Sequence, residues 1–258
     1  MEKVTSPDGT EIAYERTGDG PVVIIVGGAF NDRHTGAPLA EALAPHFTVV
    51  TYDRRGRGES GDTPPYAVER EVEDLGAVLS AVGGSAAAYG VSSGGTLALE
   101  AAAAGHNVTK VAMFEPPYYF DEGPEWPEDF LPRMAEYTAA GRRGDTVECF
   151  MTGALSVPPQ GVEHMRKTPM WEGMEAISHT LLYDCLVMGD RTWPAERMSS
   201  VTVPTLVVNS SASAPWMQHT VKQAAASLPA GEHASVNGAP HDAPPDVIAP
   251  ALIKFFTE

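Results

Sequence analysis

The run Ala86-Ala87-Ala88-Tyr89-Gly90-Val91-Ser92-Ser93-Gly94-Gly95-Thr96-Leu97-Ala98-Leu99 decides the fold. Its first part, Ala86 to Val91, reads as a buried strand, and the alanine-rich stretch Gly94 to Ala104 reads as a helix. Between them a serine has glycine two residues away on either side, the pattern of a nucleophile elbow. A serine held on so sharp a turn projects its hydroxyl into a cleft, and a side chain at Gly90 or Gly94 would collide with the neighbouring strand or helix.

Outward from this run the chain alternates. An Asp8-Gly9 turn joins Lys3-Val4-Thr5 to Glu11–Arg16 as a β-hairpin. The uninterrupted β-branched run Val22–Val26 predicts a strand covered on both faces. A short helix at Ala37–Ala44, a strand at Phe47–Tyr52, an amphipathic helix at Val68–Val82 and a strand at Val108–Phe114 complete a β-α-β-α-β-α-β order. This order specifies an α/β class with a mostly parallel, doubly wound sheet and right-handed crossovers. From Pro116 to about Arg197 the alternation stops, and helical stretches at Asp129–Ala140, Asp145–Leu155 and Trp171–Met188 predict a helical cap inserted in the core. The expected division is core 1–115 and 198–258, cap 116–197. The α/β pattern resumes with a strand at Thr205–Asn209, a helix at Trp216–Leu228, a short strand at Ala234–Val236 and a closing helix at Asp246–Thr257.

Composition narrows the function classes. Seventeen basic against thirty-four acidic residues give a formal charge of −17, which argues against nucleic-acid or anionic-membrane partners, since both need clustered Lys and Arg. The basic cluster Arg54-Arg55-Gly56-Arg57 is broken by glycine and flanked by Asp53 and Glu59, so it reads as a loop after a strand. Cys149 and Cys185 have no metal-binding spacing and are expected to be reduced, packed thiols. With no signal-like start and no apolar run of about 20 residues, a cytoplasmic protein is expected, with a small-molecule substrate, no cofactor or metal, and homodimerisation left open.

A serine hydroxyl at neutral pH needs a base within hydrogen-bond reach and a group that orients that base. Of the eight histidines, His241 lies in the loop Asn237-Gly238-Ala239-Pro240-His241 between the last strand and last helix, at the carboxyl edge where open α/β sheets bind ligands. His34, after the first buried strand, is a further candidate to touch a substrate. The loop Asn209-Ser210-Ser211-Ala212-Ser213-Ala214, after the strand that follows the cap, holds no carboxylate. Glu115, closing the strand next to that of Ser92, is therefore the expected orienting acid, with Asp242, Asp184 or Ser213 as alternatives. For a developing oxyanion the expected donors are the N–H of Ser93 and that of Ala29 or Gly28, in the Gly27-Gly28-Ala29-Phe30 loop. The cap is rich in methionine and aromatic residues, most of which must pack its own core; the rest, with Phe30, Trp216 and Met217, are expected to wall an apolar pocket.

With these features in place the chain resembles the α/β-hydrolase superfamily over nearly its whole length. Tyr52-Asp53-Arg54-Arg55-Gly56-Arg57-Gly58-Glu59-Ser60 is similar to the Asp-x-Arg-Gly-x-Gly-x-Ser loop after the fourth strand of those enzymes. Three features depart from it: Gly27-Gly28 replaces the usual His-Gly, Val91 replaces the usual aromatic or histidine before the nucleophile, and the usual acid loop is empty. Some haloalkane dehalogenases in the superfamily place a glutamate after the sixth strand, where Glu115 falls. Their nucleophile is aspartate, so Ser92 argues against dehalogenation and, likewise, epoxide hydrolysis. The resemblance implies a serine hydrolase acting on an ester, thioester or lactone of a small, largely apolar substrate. The alternatives are a lyase, carbon–carbon bond hydrolase or cyclase on the same residues, or a non-catalytic ligand-binding member.

Overall fold

In the computed structural model, which describes residues 1–120 and 123–258, side chains alternate across each central strand to build two cores. In β3 (Val22–Val26), Ile24 and Val26 face one core while Val23 and Ile25 face the other. β5 (Ala86–Val91) divides in the same way, Ala86 and Ala88 against Ala87 and Tyr89. Strands buried on both faces need apolar residues at every position, which is why the β-branched and alanine runs are unbroken. The first core is closed by α2 (Val68–Ala81), α3 (Ser93–Ala103) and α10 (Pro215–Ser227), the second by α1 (Ala37–Leu43) and α11 (Pro245–Thr257).

The sheet has eight strands in the order β1-β2-β4-β3-β5-β6-β7-β8. β1 (Glu2–Thr5) and β2 (Glu11–Thr17) are antiparallel to their neighbours; β3, β4 (Thr48–Tyr52), β5, β6 (Val108–Phe114), β7 (Thr205–Ser210) and β8 (Gly231–Val236) run parallel. The register pairs Val91 with Phe114 and Phe114 with Val208. The chain therefore leaves β5, β6 and β7 side by side at one edge, which brings Ser92, Glu115 and the 209–214 loop together. β8 starts three residues earlier than its sequence suggests. As an edge strand it keeps pairing through the exposed Glu232 and His233, where an apolar signal is not required.

Between β6 and β7 lie α4 (Phe130–Ala139), α5 (Arg143–Gly153), α6 (Pro159–Met165), α7 (Met170–Ala176), α8 (Thr180–Met188) and α9 (Ala195–Met198). Residues 121 and 122, within the expected cap, lie outside the described ones. The continuous helix expected over Trp171–Met188 is two helices. A turn at Ile177–His179, closed by Thr180 Oγ1 donating to the Ile177 carbonyl at 2.8 Å, swings His179 and Tyr183 onto Asp62 at 3.5 and 2.9 Å. α6 and α9 were not expected; each is short and starts at proline or next to it. Phe130, Met134, Phe150, Met151, Trp171 and Met174 form a separate apolar cluster within these helices, against which Phe30 packs. Both cysteines are free and buried, with burial pushing both thiols up. No helix of the described residues is long and apolar enough to cross a membrane.

Candidate active site

Ser92 sits between β5 and α3 at φ 54°, held by its N–H donating to the Phe114 carbonyl at 2.8 Å. The glycines around it permit the turn. A Cβ on Gly90 would lie 2.3 Å from the Gly94 carbonyl oxygen, and one on Gly94 would lie 2.3 Å from that of Val26. Neither contact can be relieved by a rotamer change, because both partners are backbone.

Glu115 is 1% exposed and also adopts a positive φ, 48°. One carboxylate oxygen, Oε2, lies 2.8 Å from His241 Nδ1. The other, Oε1, accepts the Ser210 N–H at 2.7 Å and the Ser213 hydroxyl. Ser213 Oγ in turn accepts the His241 backbone N–H at 3.2 Å. The loop without a carboxylate thus contributes donors that hold a carboxylate from the adjacent strand. Ser213 is a support of Glu115, not a substitute for it. Asp242 makes no hydrogen bond to the imidazole among the described residues. Asp184 is engaged by arginines, and Asn209 bonds His233 at 2.8 Å.

Ser92, Glu115 and His241 line one cavity of about 800 Å³, together with Ala29, Phe30, Phe150, Trp216 and Met217. Trp216 and Met217 lie in the first turn of α10. Of the methionine and aromatic residues between β6 and β7, Trp126, Phe150 and Met188 reach this lining, whereas His34 does not. Ser92 Oγ and His241 Nε2 make no direct hydrogen bond. Both residues line the same cavity, and such contacts commonly tighten only around a bound substrate. Every described non-glycine residue with positive φ lines this cavity: Phe30, Ser92, Glu115, Ser156, Arg191 and His241. Backbone strain collects where function requires a particular side-chain direction.

The two loop candidates for an oxyanion donor are distinguished by their neighbours. The Gly28 N–H donates to Asn31 Oδ1 at 2.9 Å and is occupied, whereas the N–H groups of Ala29 and Ser93 have no partner among the described residues. Ser93 opens α3, where the first N–H groups of a helix lack internal acceptors. The arginine-rich loop underlies both groups, a role that sequence reading missed. Arg57 donates to the carbonyls of Gly28 at 2.5 Å and Asn31 at 3.0 Å, and Arg54 to that of Gly27 at 3.1 Å. The same two guanidiniums hold Asp184 of α8, each at 2.7 Å, and Asp184 accepts the Ser93 hydroxyl at 2.6 Å. Burial works to raise the Asp184 pKa, but the charges of Arg57 and Arg54 outweigh it and hold the carboxyl below its usual range. The signal was present in the sequence: arginines interleaved with glycines, after a buried strand and near Glu71 and Asp74.

The model of the alpha/beta hydrolase family matches residues 22–251. The chain belongs to that family. The hydrolase is 53% identical to an alpha/beta hydrolase from Sphaerobacter thermophilus DSM 20745, with a TM-score of 0.94 over 99% of this chain and 100% of that one. It is 29% identical over 254 residues to the pimeloyl-[acyl-carrier protein] methyl ester esterase of Xanthomonas campestris pv. campestris (strain B100), covering 92% of this chain and 96% of the relative. The enol-lactonase from Burkholderia xenovorans LB400 shares its fold at a TM-score of 0.75 and 18% identity, over the full length of both chains.

Proposed function

We propose that this hydrolase is a serine esterase that cleaves an ester, thioester or lactone of a small, largely apolar substrate through an acyl-enzyme on Ser92. The observation that carries the reading is the 2.8 Å contact between Glu115 Oε2 and His241 Nδ1 in the cavity that also holds Ser92. With Nδ1–H donated to the carboxylate, Nε2 is the nitrogen left to act as the base.

Rotation of the Ser92 side chain brings Oγ to Nε2. Oγ attacks the substrate carbonyl carbon as Nε2 takes its proton, and the buried carboxylate of Glu115 stabilises the imidazolium that forms. The carbonyl oxygen becomes an oxyanion between the N–H groups of Ala29 and Ser93, where each donor is worth about 10²–10³ in rate. On collapse, the leaving alcohol or thiol takes the proton from Nε2. Water then enters, gives its proton to Nε2 and attacks the acyl carbon, and Ser92 recovers its proton as the acid departs. General base catalysis by the imidazole contributes about 10²–10⁴.

The segment between β6 and β7 acts as a cap, contributing Phe150, Trp126 and Met188 to an apolar wall that it shares with Phe30, which packs on Phe150, and with Trp216 and Met217. The methyl ester esterase relative supports the choice of ester bond. A Glu115 bonded to His241 supplies the orienting acid that the 209–214 loop lacks, which favours acyl transfer over the lyase, carbon–carbon bond hydrolase or cyclase alternative. The test is a panel of p-nitrophenyl esters of increasing acyl length, combined with fluorophosphonate labelling and mass spectrometry of the labelled peptide. Hydrolysis with the adduct on Ser92, both abolished in Ser92→Ala, is expected. Turnover that persists in Ser92→Ala would refute the mechanism.

A further inference from the structure

Arg191 lies on the loop after α8 and lines the cavity that holds Ser92, yet it is 4% exposed and has no carboxylate partner among the described residues. The other buried arginines near the site are neutralised: Arg33 by Asp53 and Glu15, Arg54 by Glu71 and Asp184, and Arg57 by Asp184. For Arg191 the polar contacts are two backbone carbonyls, Pro117 to Nε at 3.0 Å and Pro124 to Nη1 at 3.1 Å. Its Nη2 has no acceptor among the described residues. The adjacent carboxylate, Asp190, is turned to the Thr192 N–H at 2.8 Å.

The guanidinium is also fixed in place. It stacks on Tyr119 with Cζ 3.8 Å from the ring centroid and lies 5.0 Å from that of Trp126, while the Arg191 backbone is held at φ 66°. Trp126 lines the same cavity, and its indole N–H is buried with no acceptor among the described residues. A planar cation and an indole donor, neither satisfied, therefore adjoin one apolar chamber. Burial pulls the Arg191 pKa down to about 10, and no anion among the described residues compensates the guanidinium: of the carboxylates lining the same cavity, Asp184 is held by Arg54 and Arg57 and Glu115 by His241. One partly free fork matches a compact, singly charged, planar anion better than a phosphate, which carries more charge and needs more donors.

We propose that the cavity takes substrates bearing a free carboxylate, which docks on Arg191 while the scissile carbonyl lies at Ser92, so that the natural substrate is a half-ester or a carboxylated lactone with an apolar spacer. This deepens the esterase reading and rests on it only for the reaction; the carboxylate subsite is a binding claim. Arg191 touches substrate at the end remote from the bond that breaks.

The experiment measures binding to Ser92→Ala protein, which needs no turnover. Its probes are the monomethyl and dimethyl esters of succinate, glutarate and adipate, titrated by calorimetry. In at least one pair the monoanion should bind about tenfold or more tighter than its neutral diester, as a charge-assisted bond requires. In Ser92→Ala/Arg191→Met the preference should fall below about threefold, and in Ser92→Ala/Arg191→Lys, which keeps the charge but loses the fork, it should be intermediate. A ratio within one protein is unaffected by general loosening of the site, which weakens both probes together. No preference for the monoanion in any pair overturns the proposal, and this arm requires no Arg191 variant to fold. An undiminished preference in the Met or Lys variant overturns the assignment to Arg191. A preserved preference in Ser92→Ala protein, found together with wild-type protein that hydrolyses no ester, refutes the esterase reading and leaves the subsite standing.

Discussion

Replacing Glu115 by glutamine changes one atom at the centre of the site, and the surrounding donors dictate how the amide must sit. Ser210 N–H and the Ser213 hydroxyl both donate to Oε1, so the amide oxygen has to occupy that position. The amide NH₂ is then directed at His241 Nδ1, 2.8 Å away, where it can only donate. Nδ1 must become the acceptor, which moves the ring proton to Nε2, the nitrogen that has to receive a proton from Ser92. Flipping the amide does not help, since it sets NH₂ against two donors. Fixing the wrong tautomer in such a triad costs about 10⁴ in kcat, or about 5 kcal/mol at 1.36 kcal/mol per decade. Because the volume and all three contacts are kept, the one to His241 with its direction reversed, the protein should remain folded. The assay is steady-state hydrolysis of p-nitrophenyl butyrate with the rate of fluorophosphonate labelling as a second measure, and circular dichroism to verify folding. A folded Glu115→Gln protein with kcat within about threefold of wild type, a far smaller change than the tautomer argument requires, would show that Glu115 does not orient the imidazole.

Other outcomes follow from the same geometry. Asn31→Ala removes the acceptor that occupies the Gly28 N–H at 2.9 Å and loosens the turn carrying Ala29; kcat should fall roughly tenfold with little change in KM, a fraction of the loss expected for removing a donor outright. Gly90→Ala places a Cβ 2.3 Å from the Gly94 carbonyl oxygen, so it should cost about 3 kcal/mol in urea unfolding, and an unchanged midpoint would contradict the packing. Asp184→Asn leaves Arg57 buried with only carbonyl acceptors, which should cost about 3 kcal/mol at neutral pH. The Asp184 carboxyl is held below its usual range, so its contribution is complete above the unfolded pKa and is lost as pH falls through the folded value. The stability gap between wild type and Asp184→Asn should therefore stay constant down to about pH 4 and narrow below it; a gap that widens in acid would refute the ion-pair account.

The parts of the fold legible in the sequence are those whose burial leaves no choice of residue. Val22–Val26 and Ala86–Val91 must be apolar at every position because both faces are covered, and Gly90 and Gly94 must lack side chains because backbone oxygens occupy the space. Glu115 could be singled out because the strand register is implied by chain order, and a carboxylate at a strand end is conspicuous when the neighbouring loop has none. The helix break at Ile177–His179 was not legible, because helical periodicity continues through it and the cause is a tertiary contact with Asp62. The arginine cluster was read correctly as a loop after a strand, but its burial was not legible, for a related reason. A charged residue looks the same in sequence whether water or a carboxylate from 130 positions away satisfies it, as Asp184 does for Arg54. Arg191 was missed because its distinguishing property is the lack of such a partner among the described residues.

Asp184 belongs to a helix of the insert but is clamped by two arginines that also grip the backbone under Gly27 and Gly28. The insert and the loop beneath the chamber are thus geared together through this side chain, beside the contacts that His179 and Tyr183 make with Asp62. Chimeras that exchange the insert between relatives would have to transplant this carboxylate along with the helices. Without it, a new roof would be attached to a floor that had lost its alignment.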